Sequence, residues 1–160
     1  MYHKSKSRTA MANRRYTKPP ELAAFEREYN AHEYDHLPSI PAFARTYTKF
    51  RDDTANGLTA SILAHLKFTG NFGARVNSTG VYDTRLQMYR QGQARRGMAD
   101  ISALISGRPV QIEIKAGKDR PRASQLQVQA EYRAAGGMYE FVHSFAEYMQ
   151  IFNQIKNLSK

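Results

Sequence analysis

The sequence predicts an α/β fold, a mixed central β-sheet flanked by helices, and three observations lead to it. Apolar residues recur at helical spacing over 54–68 and again over 145–158. Two alternating segments, 99–106 and 109–115, meet at Gly107-Arg108, which reads as a two-residue hairpin turn. A helical stretch from Pro121 to about 135 then separates the second of these from another strand-like run at 138–143. Hairpin strands followed by a helix and a further strand describe a mixed sheet with helices packed on it.

A chain of 160 residues is long enough for one compact domain with a short appendage, and can bury about two thirds of its unfolded surface. It has no cysteine, hence no disulfide framework and no thiolate metal site. No apolar run reaches the roughly 18 residues of a membrane span. The basic N-terminus is not followed by the apolar stretch of a secretory signal, so a soluble, cytoplasmic protein is expected. Lys and Arg number 24 against 14 Asp and Glu, a formal net charge of +10. That excess favours a polyanionic partner, nucleic acid first and an acidic membrane surface second.

Taken in order, residues 1–18 carry Lys4, Lys6, Arg8, Arg14, Arg15 and Lys18, with no carboxylate before Glu21. Such a segment buries too little to order itself and reads as a basic flexible arm, for phosphate contact or simply solvated. Residues 19–52 form an N-terminal helical extension. Pro19 and Pro20 open a helix to about 34, with Leu22, Phe25 and Tyr29 on one face. Phe43, Tyr47 and Phe50 repeat that spacing and suggest a short second helix.

The main domain covers 53–160. Asp53 or Thr54 caps the helix 54–68, Leu58, Ile62 and Leu66 form its stripe, and Gly70 ends it in the left-handed conformation. A half-buried strand follows at 72–77, with Phe72, Ala74 and Val76 on one face and Arg75 and Asn77 on the other, then a turn at Ser78-Thr79-Gly80. Residues 81–97 read as a ragged strand and a mobile basic loop. Past the hairpin and its following helix, which Gly136-Gly137 ends, Ser144 and Glu147 form a capping box opening the last helix. Phe145, Tyr148, Phe152 and Ile155 are its buried stripe.

The chemistry concentrates on the strand 109–115. Val110, Ile112 and Ile114 point to one face, and Gln111, Glu113 and Lys115 to the other. Pairing about Gly107-Arg108 sets position 102 against 113 and Asp100 against Lys115, a diagonal from Glu113. Asp100, Glu113 and the main-chain carbonyl of Ile114 make an oxygen-rich nest for Mg²⁺ or Mn²⁺. Such an ion polarises a phosphate and acidifies a bound water. Lys115 can orient or deprotonate that water, or neutralise charge on the transition state.

Asp100, twelve intervening residues, then Glu113-Ile114-Lys115, with Ser124-Gln125 on the next helix and Gly136-Gly137 before a strand, resemble the PD-(D/E)XK nuclease superfamily. Within it, the pattern is most similar to the VRR-NUC branch, near the archaeal Holliday junction resolvases. The resemblance covers about 54–145. It implies a restriction-endonuclease-like αβββαβ core and a magnesium-dependent deoxyribonuclease. Asp100 and Glu113 would hold the metal, Lys115 would be the catalytic lysine, and Gln125 would line the site. Two departures stand out. Ala99 replaces the proline of the motif's name, and the helix 54–68 lacks the glutamate that this superfamily's first helix often supplies. Asn56 or Asp53 would replace that ligand, or it is lost.

The resulting expectation is an endonuclease acting on DNA, with branched or junction DNA as a candidate substrate. The alternative is an inactive DNA-binding module on the same fold. Arg75, Asn77, Arg85, Arg90, Arg95, Arg96 and Lys118 are candidate phosphate contacts, which position a duplex without specifying it. A homodimer is expected, using the stripe of 145–158 or the helix 20–34. His32-Glu33-Tyr34-Asp35-His36 matches the zincin pattern H-E-x-x-H, but Leu37-Pro38 breaks the helix at once and no third ligand follows at a familiar spacing.

Overall fold

The computed structural model describes residues 16–35, 37, 39–76, 81–90, 95–117 and 119–158. The arm through residue 15 and the Ser78-Thr79-Gly80 turn lie outside them. The elements in chain order are α1 (Pro20–Asp35), a 3₁₀ turn (Ala42–Ala44), α2 (Ala55–Phe68), β1 (Phe72–Arg75), β2 (Val81–Asp83) and β3 (Met88–Arg90). Then come β4 (Ile101–Ile105), β5 (Arg108–Ile114), α3 (Ala123–Ala134), β6 (Met138–Val142) and α4 (Phe145–Asn157).

Local chemistry sets the helix ends. Thr54 Oγ1 accepts from the Gly57 amide at 3.1 Å to start α2. Beyond the helix, Gly70 is left-handed and its amide donates to Lys67, while that of Asn71 donates to Leu66. Ser144 Oγ accepts from Glu147 N at the start of α4. The Glu147 carboxylate accepts from the amide of His143, so the return bond of the capping box falls one residue earlier.

The α/β architecture is as expected. A four-stranded mixed sheet runs β1-β4-β5-β6, antiparallel except for the parallel β5–β6 pair that α3 connects. Its two faces differ in chemistry. One presents Ile101, Ala103, Ile105, Val110, Ile112, Ile114 and Val142 to the apolar sides of α1, α2 and α4. Leu22 and Phe25 of α1, together with Phe50, belong to this same core. The other face presents Ser102, Leu104, Gln111, Glu113 and Tyr139, with α3 covering its β6 side through Val128.

Several details differ from the sequence expectation. The hairpin turn is Ser106-Gly107, with φ of 49° and 79°, and Ile105 pairs with Arg108. Two successive left-handed residues favour glycine at the second position, which assigns Arg108 to the strand. On β1, Phe72 is 63% exposed, because Gly73 is the residue set against Leu66 of α2. Residues 45–50 form no helix, and Phe43 is 91% exposed. Residues 81–90 form a separate antiparallel ribbon, β2–β3, rather than one ragged strand. The stripes of α1 and α4 proposed as a dimer interface are spent inside the chain, where Phe25 stacks on Phe145 at 5.6 Å. No helix among the described residues is long and apolar enough to cross a membrane.

His65 of α2 lies inside the aromatic core, 4.7 Å from the Phe152 ring, and its Nδ1 shares a hydrogen bond with the Tyr148 hydroxyl at 2.8 Å. Burial, followed by the charge of Lys156, lowers its pKa from 6.5 to about 4. The unfolded chain takes up this proton first, so stability is full above pH 6.5 and falls as pH drops toward 4. Urea unfolding at pH 7.5 and 4.5 should show wild type losing about 2 kcal/mol more than His65→Gln. Equal losses would mean that His65 does not govern the acid response.

Candidate active site

Asp100 sits where the β4–β5 ladder ends. The last backbone pair on this side is Ile101 with Ile112, and one further step in register sets 100 opposite 113. The Asp100 carbonyl accepts from the amide of Val76 at 2.8 Å, and its Oδ2 accepts from the amide of Ile114 at 3.0 Å. A side chain thus replaces the main chain as the link between strands, leaving a gap lined by Asp100, Glu113 and the Ile114 peptide. The expected pairing of Asp100 with Lys115 was two residues off because the turn lies one residue earlier at each end. A two-residue shift preserves the faces, and it brings Asp100 nearer to Glu113.

The segment leading into Asp100 passes close to α3. Gly97 has φ of +90°, and a Cβ there would lie 2.3 Å from the carbonyl oxygen of Ser124. Only glycine allows that approach. The Tyr139 hydroxyl donates to the Gly97 carbonyl at 3.1 Å and fixes the segment from below.

Glu113 and Lys115 are buried, at 5% and 1% exposure. Lys115 Nζ reaches Gln125 Oε1 at 2.8 Å, Glu113 Oε1 at 3.1 Å and Asp119 Oδ2 at 3.3 Å, so three donors meet three acceptors. It also lies 5.9 Å from the centre of the Phe141 ring. Gln125 holds both ions: its Nε2 donates to Glu113 Oε1, while its Oε1 also accepts from the amide of Arg122 at 2.9 Å. That last bond serves the first turn of α3, so helix capping and site assembly share one side chain.

The electrostatics are uneven. Burial, and then the charge of Asp100, push the Glu113 carboxyl above its ordinary value, with Lys115 pulling the other way. Burial and the same two carboxylates push Tyr139 upward as well. Asp100 raises the proton affinity of Glu113 beside it, and a pair of carboxylates where the strand ladder ends is a set that could hold a hard divalent cation completed by waters. Among the described residues no group of three His, Cys, Asp or Glu that could hold a metal ion is found.

The structure brings together Asp100, Glu113, Ile114, Lys115 and Gln125, while the two candidates at the first helix have other partners. Asp53 is engaged by Arg51, and Asn56 Oδ1 accepts from Arg75 Nη2 at 2.9 Å. These bonds engage the side-chain oxygens that each would offer to a metal. Arg95 pairs with Glu131 of α3 at 2.6 Å rather than lying in an open loop. Arg85 and Arg96 are exposed, the former on the β2–β3 turn. Asn77, Lys118 and the Arg90 side chain lie outside the described residues, as does His36 of the zincin pattern. His32 packs its ring edge against Phe68 at 5.4 Å. Asp119 and Phe141 were missed from sequence, although Asp119 stands four residues after Lys115.

Gln125→Leu should destabilise the protein by about 2–3 kcal/mol in urea titrations, because two buried charged groups each lose a hydrogen bond. A loss under about 0.5 kcal/mol would show that Lys115 and Glu113 satisfy each other unaided. Comparison with protein-family models, with curated proteins and with solved structures gives no match to this chain, so the functional reading rests on the site itself.

Proposed function

We propose that this protein is a divalent-metal-dependent DNA endonuclease with a PD-(D/E)XK core. The observation that carries the reading is the meeting of Asp100, Glu113 and Lys115 on one sheet face, at the point where the β4–β5 ladder opens. The order α2-β1-β4-β5-α3-β6, with the last strand parallel to its neighbour, supports it, since this is αβββαβ once the β2–β3 ribbon is set aside.

Asp100 and Glu113, with the Ile114 carbonyl, would hold Mg²⁺ or Mn²⁺. When bound, such an ion polarises the phosphate and lowers the pKa of a water. Lys115 is held on one side by Glu113, Gln125 and Asp119, and it presents a fixed positive charge where the phosphate gains negative charge. Because these partners are already in place, little reorganisation is needed as the bond from water oxygen to phosphorus forms and the phosphorus–ester bond breaks.

DNA as substrate accords with the net charge of +10 and with Arg85 and Arg96 at the surface. The β2–β3 ribbon springs from the chain between Val76 and Gly97, both next to Asp100 in space or sequence. A two-stranded ribbon is of a size that a major groove admits, which makes duplex or branched DNA the favoured class. A homodimer would have to use a surface other than the α1 and α4 stripes; Phe72 and Leu104, an exposed cross-strand pair, are the apolar choice.

The second reading, a binding module without activity, is favoured by one observation: α2 supplies no carboxylate to the site. A labelled panel of junction, flap, duplex and single-stranded DNA with Mg²⁺ or Mn²⁺ separates the two. Wild type should cut at least one member, and Lys115→Ala should cut about a hundred- to a thousandfold more slowly while binding nearly as well. Tight binding with no cutting under either metal would favour the module.

A further inference from the structure

On the site face, the next cross-strand pair after Asp100 and Glu113 is Ser102 with Gln111. Gln111 is 4% exposed. Its Nε2 donates to Ser102 Oγ at 2.9 Å, but its Oε1 has no hydrogen-bond partner among the described residues. A buried acceptor left in this state costs free energy, and an apolar side chain of the same size would avoid that cost. The oxygen therefore calls for a donor that the described residues do not supply.

We infer that Gln111 Oε1 accepts a hydrogen bond from a water bound to the metal, making Gln111 a positioning residue for the cation held by Asp100 and Glu113. This rests on the metal-site reading above. Magnesium and manganese keep several waters, and each such water presents strongly polarised O–H donors. Gln111 and Glu113 are two residues apart on one face, a strand repeat of roughly 7 Å, which a single water can bridge with its hydrogen bonds. Lys115 offers only donors, and its neighbours engage them, so it cannot receive these protons.

The test measures Mn²⁺ binding by titration calorimetry on the DNA-free protein, together with urea unfolding without metal. Gln111→Met removes the orphaned oxygen at nearly constant volume. It should leave metal-free stability equal or higher, while Mn²⁺ affinity falls about 10- to 100-fold. Gln111→Asn, which withdraws the amide by one methylene, should weaken Mn²⁺ binding too and serves if the apolar variant does not fold. Unchanged Mn²⁺ affinity in either folded variant overturns the inference and leaves the metal site standing. Failure of wild type itself to bind Mn²⁺ at millimolar concentration overturns the metal-site reading, and the inference with it.

Discussion

Burying the ammonium group of Lys115 is the constraint from which the rest of the site follows. Removing such a charge from water costs several kcal/mol unless every N–H finds an acceptor. Three segments supply those acceptors: β5 itself through Glu113, the following loop through Asp119, and the first turn of α3 through Gln125. For Gln125 to arrive, α3 must begin beside β5 and lie over the polar face. That placement in turn presses the Ser124 carbonyl against residue 97, which must then be glycine. Glu113 and Lys115 lie 3.1 Å apart, so each lowers the cost of the other's burial.

Asp100 performs the complementary task at the edge of the same gap. Its carbonyl joins β4 to the chain just after β1, and its carboxylate joins β4 to β5. One residue therefore couples three strands while the regular ladder gives way beside it. The apolar face beneath supplies the rigidity: Ile101, Ile112 and Ile114 are all buried against α2 and α4. Strand β5 thus carries the core on one side and the candidate site on the other. The site's residues inherit their positions from packing rather than from a loop.

This division explains what was legible in the sequence. The alternation of Val110, Ile112 and Ile114 with Gln111, Glu113 and Lys115 is a period-two signal, and it placed the site face correctly. The register error was two residues, so it left every side chain on its proper face; an error of one would have inverted them. On β1 the buried contact is made by Gly73, which a hydrophobic pattern cannot register, and the exposed Phe72 was taken for the inner side. The spacing of Phe43, Tyr47 and Phe50 suggested a helix, yet only Phe50 is buried and no stripe forms. The stripes of α1 and α4 were recognised, but an apolar stripe does not name what covers it. Here each covers the other. Gln111 was placed on the right face, but its unpaired oxygen depends on where Ser102 and Tyr139 lie, which only the register reveals.

The two faces also answer protons in opposite senses. His65, kept neutral by burial in the apolar core, withdraws stability as pH falls below 6.5. Glu113, raised by burial and by Asp100, does the reverse: its protonated form suits the fold, and stability is withdrawn as rising pH ionises it. Ionised Glu113 stands against burial and the like charge of Asp100. Lys115 offsets part of that cost. Part of the remainder is the repulsion between Asp100 and Glu113, which a divalent cation placed between them would reduce. Under the proposed metal-dependent reading, free energy withheld from folding by this repulsion would contribute to affinity for the ion.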